Sequence, residues 1–230
     1  MTPTALRDAL SALPLFAGLQ PEQLDQLLDR HRESQHEADQ VIVMEQDWGE
    51  SLFLLEAGLA KVRTFTVDGD EVVMSLLGAG DVFGEMAALD GEARSADVVA
   101  LTPLRLLKLR VRPFAALLET EPSFALALAR QEASRLRDLN RHFALQSGDA
   151  TARLLDALAY LARKSSGPAD DPQGLIPPLG QRELALLAGL ARETASRTLS
   201  KLRSRGTVAE QDGSLRIADL QPLQKRGLLG

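Results

Sequence analysis

Three charged residues in the C-terminal quarter of the chain, Arg192, Glu193 and Arg197, have the types and spacing needed to read DNA bases. At about 100° per residue, their side chains leave one face of a predicted helix near its N-terminus. An arginine fork matches guanine O6 and N7, a carboxylate accepts from cytosine N4, and each good contact discriminates by about 1 to 3 kcal/mol. The alternative is an ordinary solvated helix start with an acid in its first turn.

The elements that must position this trio read as two helices joined by a tight turn. Leu184 and Leu187 follow helical spacing, Gly189 supplies the left-handed residue of a turn, and apolar spacing resumes between Ala195 and Leu202. In such a pair the first helix packs against the domain and the second is presented to the major groove. The pattern predicts a helix-turn-helix.

Charge is distributed unevenly along the chain, which carries a net charge of −6. Residues 181–206 hold six basic and two acidic side chains, and residues 175–230 sum to +4, leaving −10 for residues 1–174. Exposed charges more than about 10 Å apart are largely screened at moderate salt, so a local basic face can still hold phosphates. We therefore expect two domains and add Arg182 and Lys201 to the predicted DNA contacts.

Composition excludes several other classes of protein. The chain has no cysteine, which removes disulfides, Cys-ligated zinc and Cys-held iron–sulfur clusters. Its three histidines form no metal constellation, no haem ligands can be placed, and no Ser-His-Asp or paired-acid set is visible. No apolar run reaches membrane-spanning length and the N-terminus has no signal-peptide core. We expect a soluble, cytoplasmic protein that binds no metal and is not an enzyme.

Residues 40–111 consist of short strand-like runs punctuated by turn residues, which is typical of an all-β sandwich or barrel. Asp68-Gly69, between two alternating runs, is the clearest hairpin signal. Helical spacing precedes this block between Leu13 and Arg30, and Pro113 opens a long helical region after it.

A long helix is predicted from roughly Pro122 to Ser147. Its apolar positions alternate at spacings of four and three, which gives a short heptad seam. The seam consists of Ala129, Ala133, Leu136, Asn140 and Phe143. Two such helices would pair in parallel about a two-fold axis, so we predict a homodimer that suits a palindromic DNA site.

The segment from Phe83 to Ala96, FGEMAALDGEARSA, has the composition of an anion site with one carboxylate. Gly84 permits close backbone approach, and Arg94 and Ser95 offer a guanidinium and a hydroxyl. A cyclic nucleotide needs this chemistry, namely donors for one phosphodiester charge and an acceptor, here Glu85, for a ribose hydroxyl. The alternative is that Glu85 and Arg94 simply pair with each other.

Over nearly its whole length the chain resembles the cAMP receptor protein and fumarate-nitrate regulator superfamily of bacterial transcription factors, most like its cAMP receptor protein branch. The likeness rests on the glycines of residues 58–81, on the segment just described, and on ARETASR in the second helix of the helix-turn-helix. It implies an α+β fold with a cyclic-nucleotide-binding β-roll of jelly-roll type over residues 1–112. A dimerisation helix and hinge would span residues 113–148, and a winged helix-turn-helix residues 149–230.

The resemblance also implies roles for individual residues. Glu85 would take the ribose 2′-hydroxyl, Arg94 and Ser95 the cyclic phosphate, and Arg135 would support them from the long helix. The base-reading trio would recognise TGTGA half-sites. A loop such as the Pro- and Gly-rich residues 164–178 touches RNA polymerase in resembling activators, although an unremarkable polar loop is an equal alternative.

The sequence departs from the family pattern at the adenine contact. Relatives that bind cAMP usually show a Thr-Ser pair there, whereas this chain has Leu139-Asn140. Asn140 could bond adenine through its amide, or it could fix the register of the paired helices.

The sequence therefore predicts a cAMP-responsive homodimeric regulator in which ligand shifts a pre-existing equilibrium through a hinge near Gly148. Two alternatives stay open. One is the same fold binding DNA without cAMP or sensing another ligand, such as cyclic GMP or a cyclic dinucleotide. The other is a cyclic-nucleotide module that acts on a protein partner.

Overall fold

The computed structural model describes residues 3–229, which form a β-roll with flanking helices, a long helix and a C-terminal helical domain with a small sheet. Helices α1 (Pro3–Ser11) and α2 (Pro21–Leu28) come first. The strands of the roll are β1 (Arg32–His36), β2 (Val41–Val43), β3 (Ser51–Ala57), β4 (Ala60–Phe65), β5 (Glu71–Leu77), β6 (Val82–Phe83), β7 (Asp97–Ala100) and β8 (Leu104–Arg110). The short helix α3 (Met86–Asp90) lies between β6 and β7.

The roll consists of two four-stranded antiparallel sheets, ordered β1-β8-β3-β6 and β2-β7-β4-β5. Asp68-Gly69 turns the chain between β4 and β5, and Gly69 has a φ of +85°, which favours glycine. Apolar side chains that alternate along the strands fill the space between the sheets, among them Leu55, Phe83 and Leu106. The predicted α+β fold with an N-terminal β-roll is confirmed.

Two helices follow the roll: α4 (Val111–Thr120) and the long helix α5 (Pro122–Leu145). The first begins two residues before Pro113, and the second ends two residues before the predicted Ser147. Phe124 at the start of α5 packs against Phe16 and Phe114, with ring centroids 5.9 and 5.1 Å away. This aromatic cluster fixes the base of the long helix on the roll.

The C-terminal domain contains α6 (Ala150–Ser165), α7 (Gln181–Leu187), α8 (Arg192–Ser204), β9 (Val208–Gln211), β10 (Ser214–Ile217) and α9 (Gln221–Gln224). Gly189 between α7 and α8 has a φ of +59°, as the predicted turn requires. The hairpin of β9 and β10 turns at Gly213 and forms the wing.

The segment predicted as a loop between α6 and α7 has more order than its composition suggests. A 3₁₀ turn spans Gly167–Ala169, and Ile176 makes an antiparallel bridge with Leu215 of the wing. Ile176 is fully buried, so one apolar side chain anchors this polar loop to the domain core.

The C-terminal domain packs directly on the roll through β4 and β5. Leu59, Val73 and Leu76 belong to the same buried cluster as Leu158 and Leu187. None of the helices among residues 3–229 is both long and apolar enough to cross a membrane.

A buried ion cluster lies in this contact between the two domains. Lys61 of β4 is 2% exposed, and its Nζ lies 2.7 Å from Glu71 Oε1 and 2.8 Å from Glu183 Oε2 of α7. Farther along the contact, Lys164 Nζ lies 2.8 Å from Asp81 Oδ2. The Lys61–Glu183 and Lys164–Asp81 pairs join residues 122 and 83 positions apart, and the sequence analysis did not anticipate them.

Candidate nucleotide cavity and nucleic-acid interface

A cavity of about 340 Å³ lies between the β-roll and α5. The sequence-predicted residues Gly84, Glu85, Arg94, Ser95 and Arg135 all line it. Helix α3 begins directly after Glu85, so the turn after β6 carries the carboxylate while the return toward β7 carries the arginine and the serine. The structure therefore brings together residues 50 positions apart around one space.

Glu85 is 3% exposed and makes a one-sided ion pair. Its Oε1 accepts from Arg135 Nη1 at 2.9 Å, whereas its buried Oε2 has no hydrogen-bond partner. Burial raises the pKa of Glu85, and the charge of Arg135 only partly offsets this. The alternative of a Glu85–Arg94 pair is not the arrangement seen. The carboxylate keeps one acceptor free for a donor such as a hydroxyl.

Arg94 is 7% exposed, and its contacts are to neutral groups. Nη1 donates to the carbonyl of Gly84 at 2.7 Å, and Nη2 donates to the carbonyls of Gly49 and Ser51. Burial lowers the pKa of Arg94 below its ordinary value, while nearby carboxylates act in the opposite direction. No carboxylate of residues 3–229 lies within ion-pair distance of it, so this buried cation has no directly bonded counter-ion.

Two glycines make room for the Arg94 guanidinium. A Cβ on Gly84 would lie 2.6 Å from Nη1, and a Cβ on Gly49 would lie 2.6 Å from Nη2. Gly84 also has a φ of +79°. The sequence analysis singled out Gly84 but missed Gly49, whose only signal was its place in a turn.

Helix α5 supplies a second carboxylate that the sequence analysis missed. Glu132 lines the cavity, and its Oε1 accepts from Arg135 Nη1 at 3.0 Å. Because Glu132 and Arg135 are three residues apart, they share one face of the helix. Arg135 also donates to the carbonyl of Val82, so it ties α5 to the turn that carries Glu85.

Asn140 does not line the cavity of its own chain, whereas Leu136 and Leu139 do. Asn140 lies instead on an exposed stripe of α5 with Leu136 and Phe143, which are 57% and 78% exposed. This position favours the alternative in which Asn140 fixes the register of two paired helices. Its contact with adenine stays a prediction.

The three residues predicted to read bases lie on the exposed surface of α8. Arg192, Glu193 and Arg197 are exposed in the first turns of α8 and line one shallow surface depression with Gln181 and Ser196, which the sequence analysis missed. The buried side chains of α8 face the domain core instead. Nearby Arg182 and Lys201 are exposed as well. The arrangement offers hydrogen-bonding groups to a groove and cations to the flanking phosphates.

Comparison with known proteins identifies the family of this chain. Residues 33–121 match the model of the cyclic nucleotide-binding domain, and residues 152–226 match that of the Crp-like helix-turn-helix domain. The chain is 34% identical over 213 residues to the cyclic AMP receptor protein of Thermus thermophilus, covering 92% of this chain and 95% of that relative. It belongs to the CRP family of transcription regulators.

Solved structures agree with this CRP-family assignment. A CRP-family transcriptional regulator of Thermus thermophilus superposes with a TM-score of 0.65 at 27% identity, covering 84% of this chain and 95% of that one. The c-di-GMP-responsive regulator CLP of Xanthomonas campestris gives a TM-score of 0.67 over 87% of this chain and 100% of that one. At 21% identity, that likeness shows the fold alone.

For this CRP-family protein, the matched domains support a cyclic-nucleotide effector, DNA binding and a dimeric organisation. Neither matched domain is catalytic, and no catalytic family is indicated.

Proposed function

We propose that this chain is a cytoplasmic, cAMP-responsive homodimeric regulator that recognises a palindrome of TGTGA-like half-sites. The observation that carries the sensor half is the pairing, in one cavity, of a buried cation without a directly bonded counter-ion and a buried carboxylate oxygen without a donor. Both groups are costly to bury as they stand. A cyclic nucleotide supplies the missing partner of each, one phosphodiester charge for Arg94 and one ribose hydroxyl for Glu85 Oε2.

Ser95 and Arg135 complete the proposed site. Ser95 is exposed at the cavity, where its hydroxyl can donate to a second phosphate oxygen. Arg135 holds Glu85 from α5, so a ligand that engages Glu85 also acts on the long helix. This contact offers a route by which ligand binding favours one arrangement of paired α5 helices over another.

The end of α5 is connected to the helix-turn-helix. Arg153 of α6 donates from Nε to the carbonyl of Ala188 at 3.0 Å and from Nη2 to Gln146 Oε1 at 2.9 Å. Ala188 and Gly189 form the turn before the reading helix, and Gln146 follows α5. A shift of α5 would therefore be passed through Arg153 to the element that orients Arg192 and its neighbours.

The exposed stripe of α5 supports the proposed homodimer. Leu136 and Phe143 of this stripe are large apolar side chains that are exposed on the helix. Burying this stripe against a second copy would remove apolar surface from water and place two reading helices about a two-fold axis. We also propose RNA polymerase as a partner of the loop at residues 164–178.

The apolar part of the lining of the nucleotide cavity predicts weak discrimination between purines. Leu136, Leu139, Val62 and Met74 line it with apolar atoms. An apolar pocket separates ligands that differ by one small group by only about 10- to 200-fold, far less than a hydrogen-bonding site does. We expect the calorimetric dissociation constants for cAMP and cyclic GMP to differ by no more than about 200-fold. The non-cyclic 5′-AMP is the control and should bind much more weakly.

A gap of several hundredfold between the two cyclic nucleotides would contradict this expectation. If neither cyclic nucleotide binds, the sensor half of the proposed function fails. The fluorescence of Trp48 gives a second measure of nucleotide binding. Trp48 is the single tryptophan, and it precedes Gly49, whose carbonyl accepts from Arg94.

Substitutions in α8 should separate base reading from phosphate binding. Arg197→Ala is expected to relax specificity at one guanine and cost about 1 to 3 kcal/mol on the matched site only. Lys201→Ala should weaken all duplexes alike and reduce the salt slope by about one. Fluorescence anisotropy with matched and single-mismatch palindromes at several salt concentrations measures both. Equal losses on matched and mismatched duplexes for Arg197→Ala would contradict its assignment as a base reader.

A further inference from the structure

We propose that a second cavity, separate from the nucleotide site, binds a small oxyanion attached to a compact apolar group. The cavity has a volume of about 420 Å³ and shares no lining residue with the nucleotide cavity. It lies where the turn at Leu13–Leu15, the turn at Gly78–Asp81, helix α5 and the end of α6 meet. This size is in the range of pockets that hold small metabolites.

The charges around this junction cavity leave a positive excess. Arg130, Arg163 and Lys164 line it, against the carboxylates of Asp81 and Asp170. Lys164 and Asp81 neutralise each other at 2.8 Å, and Asp81 also accepts from the backbone N–H of Gly78. Neither Arg130 nor Arg163 has an ion pair with any carboxylate of residues 3–229. With Asp170 counted, the lining carries one net positive charge; Asp156 is near enough to Arg163 for the two charges to interact, but neither guanidinium is held in an ion pair.

Of the two arginines, Arg163 gives the stronger evidence for an anion site. Its Nη2 is buried and has no hydrogen-bond partner, which is an unfavourable state for a charged donor. Planar guanidinium groups match carboxylate and phosphate oxygens, and an oxyanion in the cavity would provide the acceptor that the protein lacks.

Part of the lining of the junction cavity is apolar. Leu13, Leu15, Ala127 and Pro168 contribute it. A lining that combines cations with aliphatic groups fits a ligand with an oxyanion head and a compact apolar body better than it fits a free inorganic ion. Phosphate and carboxylate heads share this chemistry, and the choice between them is left to the test.

A ligand at this place would touch both domains. The roll and the C-terminal domain are in close contact beside the cavity, since a Cβ on Gly78 would collide with the carbonyl oxygen of Lys164. Arg130 belongs to α5, while Arg163 and Lys164 end α6. Binding would thus stabilise the docking of the C-terminal domain on the roll, independently of nucleotide.

The test is calorimetry on the full chain with phenyl phosphate, benzoate and inorganic phosphate at fixed ionic strength, with and without saturating cAMP. We expect phenyl phosphate or benzoate to bind once per chain, more tightly than inorganic phosphate, and to remain bound when cAMP is present. The tighter of the two organic probes identifies the head group. Arg163→Met should weaken this probe at least about tenfold, as expected for loss of a charge-assisted contact.

Arg130→Met provides a second variant, since its side chain is exposed and its loss should not impair folding. Arg137→Met is the matched control, because Arg137 is exposed on the same helix but does not line the cavity. Displacement of the probe by cAMP, unchanged affinity in both lining variants, or no binding of either organic probe would overturn the proposal. Failure of the chain to bind cAMP would overturn only the proposed function, because the junction cavity shares no lining residue with the nucleotide site.

Discussion

Replacing Arg94 with alanine is expected to weaken cyclic-nucleotide binding by at least about 30-fold. Arg94 is the buried cation of the cavity, and the groups it contacts are neutral carbonyls. Truncating one partner of a buried, hydrogen-bonded charge pair costs about 2 to 5 kcal/mol, and each 1.4 kcal/mol is about tenfold in affinity. The ligand's phosphate would be left in the cavity without its counter-ion.

Calorimetric titration with cAMP measures the loss of affinity. Two further variants serve as comparisons. Arg94→Lys keeps the charge but loses the planar fork, so it should recover only part of the affinity. Arg137→Ala removes an exposed arginine of α5 that does not line the cavity and should leave affinity unchanged. Because Arg94 also bonds the carbonyls of Gly49 and Gly84, thermal unfolding checks that the turns stay folded. Nucleotide-dependent DNA binding that survives Arg94→Ala would show that the sensor assignment is wrong.

Lys61→Met should destabilise the protein by about 3 to 5 kcal/mol, because it removes the cation shared by two partly buried carboxylates. Lys61 lies between Glu71 of its own sheet and Glu183 of the helix-turn-helix, at 2.7 and 2.8 Å. Glu71 keeps a more distant partner in Arg63 at 3.4 Å, whereas the ion pairs of residues 3–229 give Glu183 no other cation. Urea unfolding at neutral pH measures the loss of unfolding free energy. Part of this loss should come from weaker packing of the C-terminal domain on the roll.

Lys225→Met is the control, since Lys225 is exposed and makes no ion pair among residues 3–229, and it should change stability by less than about 0.5 kcal/mol.

Burial raises the pKa of Glu71, but Lys61 and Arg63 outweigh it and hold that pKa below 4.5. A carboxyl with a lowered pKa contributes stability that is complete above 4.5 and is lost as pH falls through the folded value. Lys61→Met should flatten this acid loss, and a cost below about 1 kcal/mol at neutral pH would contradict the role given to the cluster.

Local signals explain what the sequence predicts well. Gly69 and Gly189 stand where a positive φ is needed, and the structure has both in that region. The apolar spacing of α7 and α8 is the spacing of their buried faces. Each of these features depends on residues within one or two turns of chain, so periodicity and turn chemistry suffice.

The nucleotide cavity could be predicted in part, because its charged residues fall in one short segment and one helix face. Gly49 could not be predicted as a site residue, because the side chain that requires its lack of a Cβ is Arg94, 45 positions later. The Lys61–Glu183 pair spans 122 positions and joins two domains, so no local pattern reports it. Asn140 has a polar side chain at a seam position, and only the folded chain shows that it points away from its own cavity.

The central claim is that one cavity gates one DNA interface, and anisotropy on a TGTGA palindrome tests it most directly. The titration is run at fixed salt with and without cAMP, against a scrambled duplex, for the wild-type chain and for Glu85→Gln. We predict tight, sequence-specific binding only with cAMP, and loss of that dependence in Glu85→Gln. Specific binding of equal strength with and without cAMP would contradict the account and would leave Glu85 and Arg94 as structural residues or as part of another ligand's site.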